Sequence, residues 1–194
     1  MYYIAKKCTD FLLKHDAIDK SYASIYIYGF QLVISFTGCV SCIIALSRIL
    51  NYFEQAIVFL LFFVPIRVFG GGYHAKTYRN CFFLTNCTAC VCVAITKLLL
   101  RINQLIPILI WISVLVFCIV YIWRHVPAHT GNYELGKKTL VRNRKIARTI
   151  LLVEMLLMGV MYYKGHISLV YTATVTTVMV ALLIKLVYMK GEKR

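Results

Sequence analysis

Two residues that could do covalent chemistry together stand seven apart in the stretch Arg67-Val-Phe-Gly-Gly-Gly-Tyr-His-Ala-Lys-Thr-Tyr-Arg-Asn-Cys81. His74 could take the proton from the Cys81 thiol, and the thiolate could then attack a carbonyl. Arg67, Lys76 and Arg79 favour the thiolate electrostatically, and a helix beginning near Cys81 adds its dipole. Burial in lipid opposes the charged form. Seven residues of unbroken helix advance about 10.5 Å, whereas a direct hydrogen bond needs about 3 Å. The pair therefore requires the chain to turn or unwind between its members. Three glycines, Gly70 to Gly72, stand just before His74, and glycine weakens helices. At membrane depth such a break survives only where it lines a cavity or is covered by protein. Asn80, Thr77 and Asn86 lie close by in sequence, but nothing selects a third catalytic residue among them.

What must position these residues follows from composition. Of 194 residues, 61% are hydrophobic and only 15% charged. A soluble domain is about half apolar and about a quarter charged, so the natural solvent of this chain is a bilayer. Twenty-two Lys and Arg against seven Asp and Glu give a net charge of +15. In a membrane protein that excess points to topology and anionic lipid. No nucleic-acid motif accompanies it, and nucleic acid is not an expected partner. Most of the eight cysteines lie in apolar runs, where a free thiol packs as a small hydrophobe. The first twenty residues are charged and mixed and carry no signal-peptide pattern. Reduced thiols near the cytoplasm are expected. Cys39-Val-Ser-Cys42 and Cys87-Thr-Ala-Cys90 have zinc-like spacing, yet both sit in apolar helical runs without a nearby His, so neither a metal nor a cofactor is expected.

A spanning helix needs about 20 apolar residues. The sequence offers Ser24 to Ser47, Cys81 to Leu100, Leu105 to Trp123, a short Thr149 to Tyr163, and Ile167 to Met189. Between the first two, Ala56 to Phe69 is a run of fourteen that contains Pro65 and ends at the glycines. The expected fold is an all-α, polytopic helical bundle of about six transmembrane segments, with a short or broken second span. Ile4, Cys8, Phe11 and Leu12 recur at helical spacing among charges, so residues 1–20 read as an amphipathic helix on the membrane. A cytosolic helix packed on the loops is the plainer alternative. With the N-terminus inside, seventeen cations fall inside and four outside (Arg48, Lys97, Arg101 and Lys164), while Lys185 stays in the last span. That asymmetry puts residues 67–81 and a basic loop over 124–148 on the cytoplasmic side. Residues 1–194 read as one integral membrane domain. Glu154, inside the fifth span, is expected to pair across helices.

The 67–81 segment resembles the signature of the AgrB family, the accessory gene regulator B peptidases of bacterial quorum sensing. The Arg, the Gly-Gly, the His-Ala and the Cys seven after the His stand in register. Asp19, Tyr28-Gly29 and the stretch from Pro127 to Arg148 are also similar. The resemblance implies Cys81 as nucleophile and His74 as base of a Cys-His dyad, with Arg67, Gly71 and Gly72 in support. It implies a multi-pass cysteine peptidase of the bacterial cytoplasmic membrane, and a homodimer. The implied substrate is a short AgrD-like precursor peptide, trimmed at its C-terminal side and cyclised to a thiolactone or lactone. Lys137, Lys138, Arg142, Arg144 and Lys145 could hold an acidic part of that peptide, or they could simply face lipid headgroups. Two other function classes compete. One is a small peptide transporter or exporter without covalent chemistry. The other is a membrane acyltransferase that carries its acyl group on Cys81.

Overall fold

The computed structural model describes residues 2–71, 77–102, 108–128 and 136–191. Its seven helices are α1 (Tyr2–Lys14), α2 (Ala23–Ile49), α3 (Phe53–Gly70), α4 (Tyr78–Ile102), α5 (Ile108–His125), α6 (Lys137–Tyr163) and α7 (Ile167–Gly191). A single 3-10 turn, Lys20–Tyr22, leads into α2. Asp19 caps it: the carboxylate accepts from the Ser21 N–H at 2.9 Å and the Ser21 hydroxyl at 3.0 Å. Those two bonds hold the Asp19 carboxyl below its ordinary acidity range, the backbone donor contributing most.

Among the described residues, five helices are long and apolar enough to cross a membrane: Lys20–Ile49, Phe53–Gly70, Tyr78–Ile102, Lys137–Tyr163 and Ile167–Met189. The chain is thus a polytopic helical bundle, as its composition requires. The second span is the shortest of the five, at 18 residues. It runs as helix straight through Pro65, and its interruption falls at its end. The segment expected over Leu105 to Trp123 is α5, a shorter apolar helix whose leading residues 103–107 lie outside the described residues.

The helices alternate in direction. The Tyr28 ring at the start of α2 lies 6.2 Å from the Tyr78 ring at the start of α4. The Ala128 N–H beyond α5 donates to the Gly70 carbonyl at the end of α3, at 2.7 Å. The Tyr188 hydroxyl near the end of α7 donates to the His125 carbonyl at the end of α5, at 2.8 Å. These residues share one end of the bundle. At the other end, Lys97 stacks 4.9 Å over Tyr52, and Gln55 donates to Ser168 at 3.1 Å. Arg48, Lys97, Arg101 and Lys164, the four cations expected outside, all belong to the second end.

Helix α7 is the hub and packs against α3, α4, α5 and α6. The large core cluster joins Phe59, Phe63 and Ile66 of α3 with Cys92 and Leu99 of α4, Cys118 and Ile122 of α5, and Ile184 and Val187 of α7. Removing such side chains from contact with lipid or water gains close packing as much as transfer energy. Helix α1 packs on α2 through fully buried Ala5 and Thr9, leaving Tyr2, Tyr3, Ile4 and Phe11 exposed. An exposed aromatic face beside Lys6, Lys7 and Lys14 suits the headgroup layer.

Two sequence expectations change here. Helix α6 begins at Lys137, so the short fifth span extends to 27 residues. The basic segment 124–148 is therefore helix from Lys137 onward rather than loop. Lys and Arg are good helix formers, and their long stems let charged residues continue an apolar helix out of the hydrocarbon. Glu154 is buried on α6, and its Oε1 has no hydrogen-bond partner among the described residues, so the expected interhelical pairing is not seen there.

Candidate active site

The site begins where α3 stops. Gly71 adopts φ +75°, a conformation that L side chains rarely take. A Cβ placed on it would sit 2.1 Å from the Ala128 carbonyl oxygen. Gly71 and Ala128 form an isolated parallel bridge, so backbone meets backbone where a side chain has no room. Gly70 is nearly as confined, since its Cβ would lie 3.0 Å from Val126 and 3.3 Å from Ile66. Gly71 is thus demanded by close approach of the segment that follows α5, and Gly70 has little room beside it. The importance of Ala128 was not legible in the sequence, because a long-range backbone contact leaves no local pattern.

The next helix starts seven residues beyond Gly71. The Thr77 hydroxyl accepts from the Asn80 N–H at 3.2 Å, a side-chain N-cap of α4, and the Thr77 carbonyl accepts from the Cys81 N–H at 3.0 Å. Cys81 therefore lies in the first turn, where the helix dipole favours negative charge. Helix α3 ends at Gly70 and α4 begins at Tyr78. His74 and Gly72 lie outside the described residues.

Arg67, on the last turn of α3, reaches across the break. Its Nη2 donates to Cys81 Sγ at 3.8 Å, and its guanidinium lies 5.3 Å from the centroid of the Phe63 ring. A cation is thus placed beside a half-buried sulfur. Antiparallel packing thus brings together Arg67 and Cys81, which stand 14 residues apart in sequence. The Thr85 hydroxyl donates to the Cys81 carbonyl at 3.0 Å.

The basic residues of α6 divide into two roles. Lys137, Lys138, Arg142, Arg144 and Lys145 are exposed. Arg148 instead ties α6 to α5, donating from Nε and Nη2 to the Trp123 carbonyl at 3.3 and 3.2 Å and stacking 5.0 Å from the Trp123 ring. The remaining cysteines separate by burial. Cys39, Cys92 and Cys118 are buried, whereas Cys87 and Cys90 are exposed on α4. Among the described residues no group of three or more His, Cys, Asp or Glu side chains is arranged to hold a metal ion.

Comparison with known proteins agrees with the geometry. The family described as Accessory gene regulator B matches residues 5–187 of this chain. An AgrB-like protein 1 from Clostridium perfringens is 28% identical over 142 residues, covering 73% of each chain. No solved structure matches. The matched span runs from α1 to the end of α7 and takes in the Arg67–Cys81 site whole, and the chain belongs to the accessory gene regulator B (AgrB) family.

Proposed function

We propose that this protein is a membrane cysteine endopeptidase that removes the C-terminal part of a short AgrD-like precursor peptide and promotes closure of a thiolactone or lactone signal. Family membership supports a role in quorum-sensing peptide processing. The observation that carries the finer reading is the Arg67 guanidinium on Cys81 Sγ at the first turn of α4. In this reading Cys81 is the nucleophile and His74 its general base. The Cys81 thiolate attacks the scissile carbonyl, and the amine of the C-terminal part leaves with a proton delivered by His74. The product is an acyl thioester on Cys81. A cysteine thiolate of the same peptide then displaces Cys81 and closes the ring, one thioester replacing another at little free-energy cost. Water would instead hydrolyse the thioester irreversibly. A site at the edge of the hydrocarbon limits that loss.

Gly71 and Gly72 shape the turn in this scheme, and Lys137, Lys138, Arg142, Arg144 and Lys145 draw an acidic part of the precursor to the site end. The cation distribution supports a cytoplasmic site in the bacterial plasma membrane with anionic lipid around it, and the active form is a homodimer. The test is coexpression with the short peptide encoded beside the gene. Wild-type protein is expected to give a C-terminally shortened peptide, lighter than the linear acid by one water when cyclised. Cys81→Ala and Cys81→Ser should leave the precursor intact; continued shortening in both would overturn the reading. Purified enzyme that releases mainly linear acid would remove the cyclisation step while leaving the peptidase.

A further inference from the structure

Asn86 lies five residues beyond Cys81, about 7.5 Å further along α4. Its side chain is 9% exposed, and its Nδ2 makes two contacts. It donates to the Phe82 carbonyl of its own helix at 2.9 Å and to Cys39 Sγ of α2 at 3.3 Å. The amide is thereby pinned to the first turns of α4 and reaches across to the neighbouring helix. Its Oδ1 is buried with no hydrogen-bond partner among the described residues. A buried unpaired carbonyl is costly, a cost that a leucine of similar size would avoid. Around this contact, buried Cys39 and Ile43 on α2 face buried Ala89 and Val93 on α4, while buried Ser35 and Ser47 lie one turn to either side on α2 and Thr85 of α4 also meets Cys39. Apolar contacts alone set register weakly, and a single polar contact between helices is a known way to fix it.

We propose that Asn86 and Cys39 form an interhelical clasp that fixes the register of α4, making Asn86 a positioning residue that holds Cys81 against Arg67. The inference rests on the reading of Cys81 as nucleophile. Helix α4 carries Cys81 at its first turn and is held on two sides, by Arg67 of α3 at the sulfur and by Cys39 of α2 one turn deeper. Releasing the second hold lets the helix slide, and a displacement of about 1 Å at a reacting group can cost about 100-fold in rate. The clasp therefore acts on turnover rather than on peptide binding.

The test measures alkylation of Cys81 by iodoacetamide in the full-length protein, resolved thiol by thiol by peptide mass mapping, with exposed Cys87 as internal control. Asn86→Leu and Cys39→Ala are each expected to slow Cys81 by about three- to tenfold, and the double variant no further than Cys39→Ala, which already removes the contact that Asn86→Leu breaks. Cys39→Ser keeps an acceptor and should restore the wild-type rate, a rescue that a purely structural role would not give. In peptide cleavage the same variants should lower kcat and leave KM within about twofold. Equal rates for Cys39→Ala and Cys39→Ser, or losses that multiply in the double variant, would overturn the clasp. Cleavage that persists in Cys81→Ala would instead overturn the peptidase reading, and the alkylation rates would still judge the clasp.

Discussion

At the scale of single residues, the account depends on two close approaches. The first is Arg67 on Cys81 at 3.8 Å. Arg67→Lys keeps the charge but shortens the reach and loses the planar fork, so it should lower kcat by about tenfold or more. Arg67→Ala should cost about 100-fold or more; stopped assays on purified protein would rank the two. The second is Gly71, whose positive φ and contact with the Ala128 carbonyl exclude a side chain. Gly71→Ala should destabilise by about 1–3 kcal/mol of backbone strain plus the clash. A lower Tm together with lost activity would confirm it, and an unchanged Tm would mean that the segment after α5 can move away. Arg67, Gly71 and Cys81 were legible as candidates because a cation, a glycine run and a thiol in an apolar sequence are each costly. Ala128 and the Asn86–Cys39 contact were not, since alanine is unmarked and one buried amide in an apolar run has many readings.

At the scale of elements, the spans were more legible in the sequence than their ends. Hydrophobic runs mark the hydrocarbon-facing part of a helix, not its ends. Helix α6 therefore reaches twelve residues earlier than its apolar part, since Lys137 to Arg148 are helical though charged. The run from Ala56 likewise gains Phe53 to Gln55 in α3. If the exposed cations of α6 hold an acidic part of the precursor, neutralising Lys137, Lys138 and Arg142 together should raise KM more than it lowers kcat. Unchanged peptide binding would leave these residues to lipid headgroups alone. Asp19 offers a pH test at the entry to α2. Its carboxyl is lowered by the Ser21 donors, so its capping contribution is present above the unfolded carboxylate value and fades as pH falls below it. Asp19→Ala should lower Tm at pH 7 and have a smaller effect near pH 3; equal effects at both would contradict the capping role.

At the scale of the molecule, an alternating bundle brings the ends of α3, α5 and α7 together with the starts of α2, α4 and α6. That is why residues as distant as Arg67, Cys81, Ala128 and Arg144 meet at one face. Composition made the membrane setting legible, because 61% hydrophobic and 15% charged residues depart far from the usual soluble balance. It could not give the packing order, in which α7 is central, since a hydrophobic run does not say which helices it will touch. The central claim is that Cys81 carries the acyl group. Its most direct measurement is the intact mass of the full-length protein after brief mixing with the precursor and an acid quench. The account predicts an added mass equal to the acyl part of the peptide, removed by hydroxylamine and absent in Cys81→Ala. Cleavage of the precursor with no such adduct at any time, or with the adduct retained in Cys81→Ala, would contradict it.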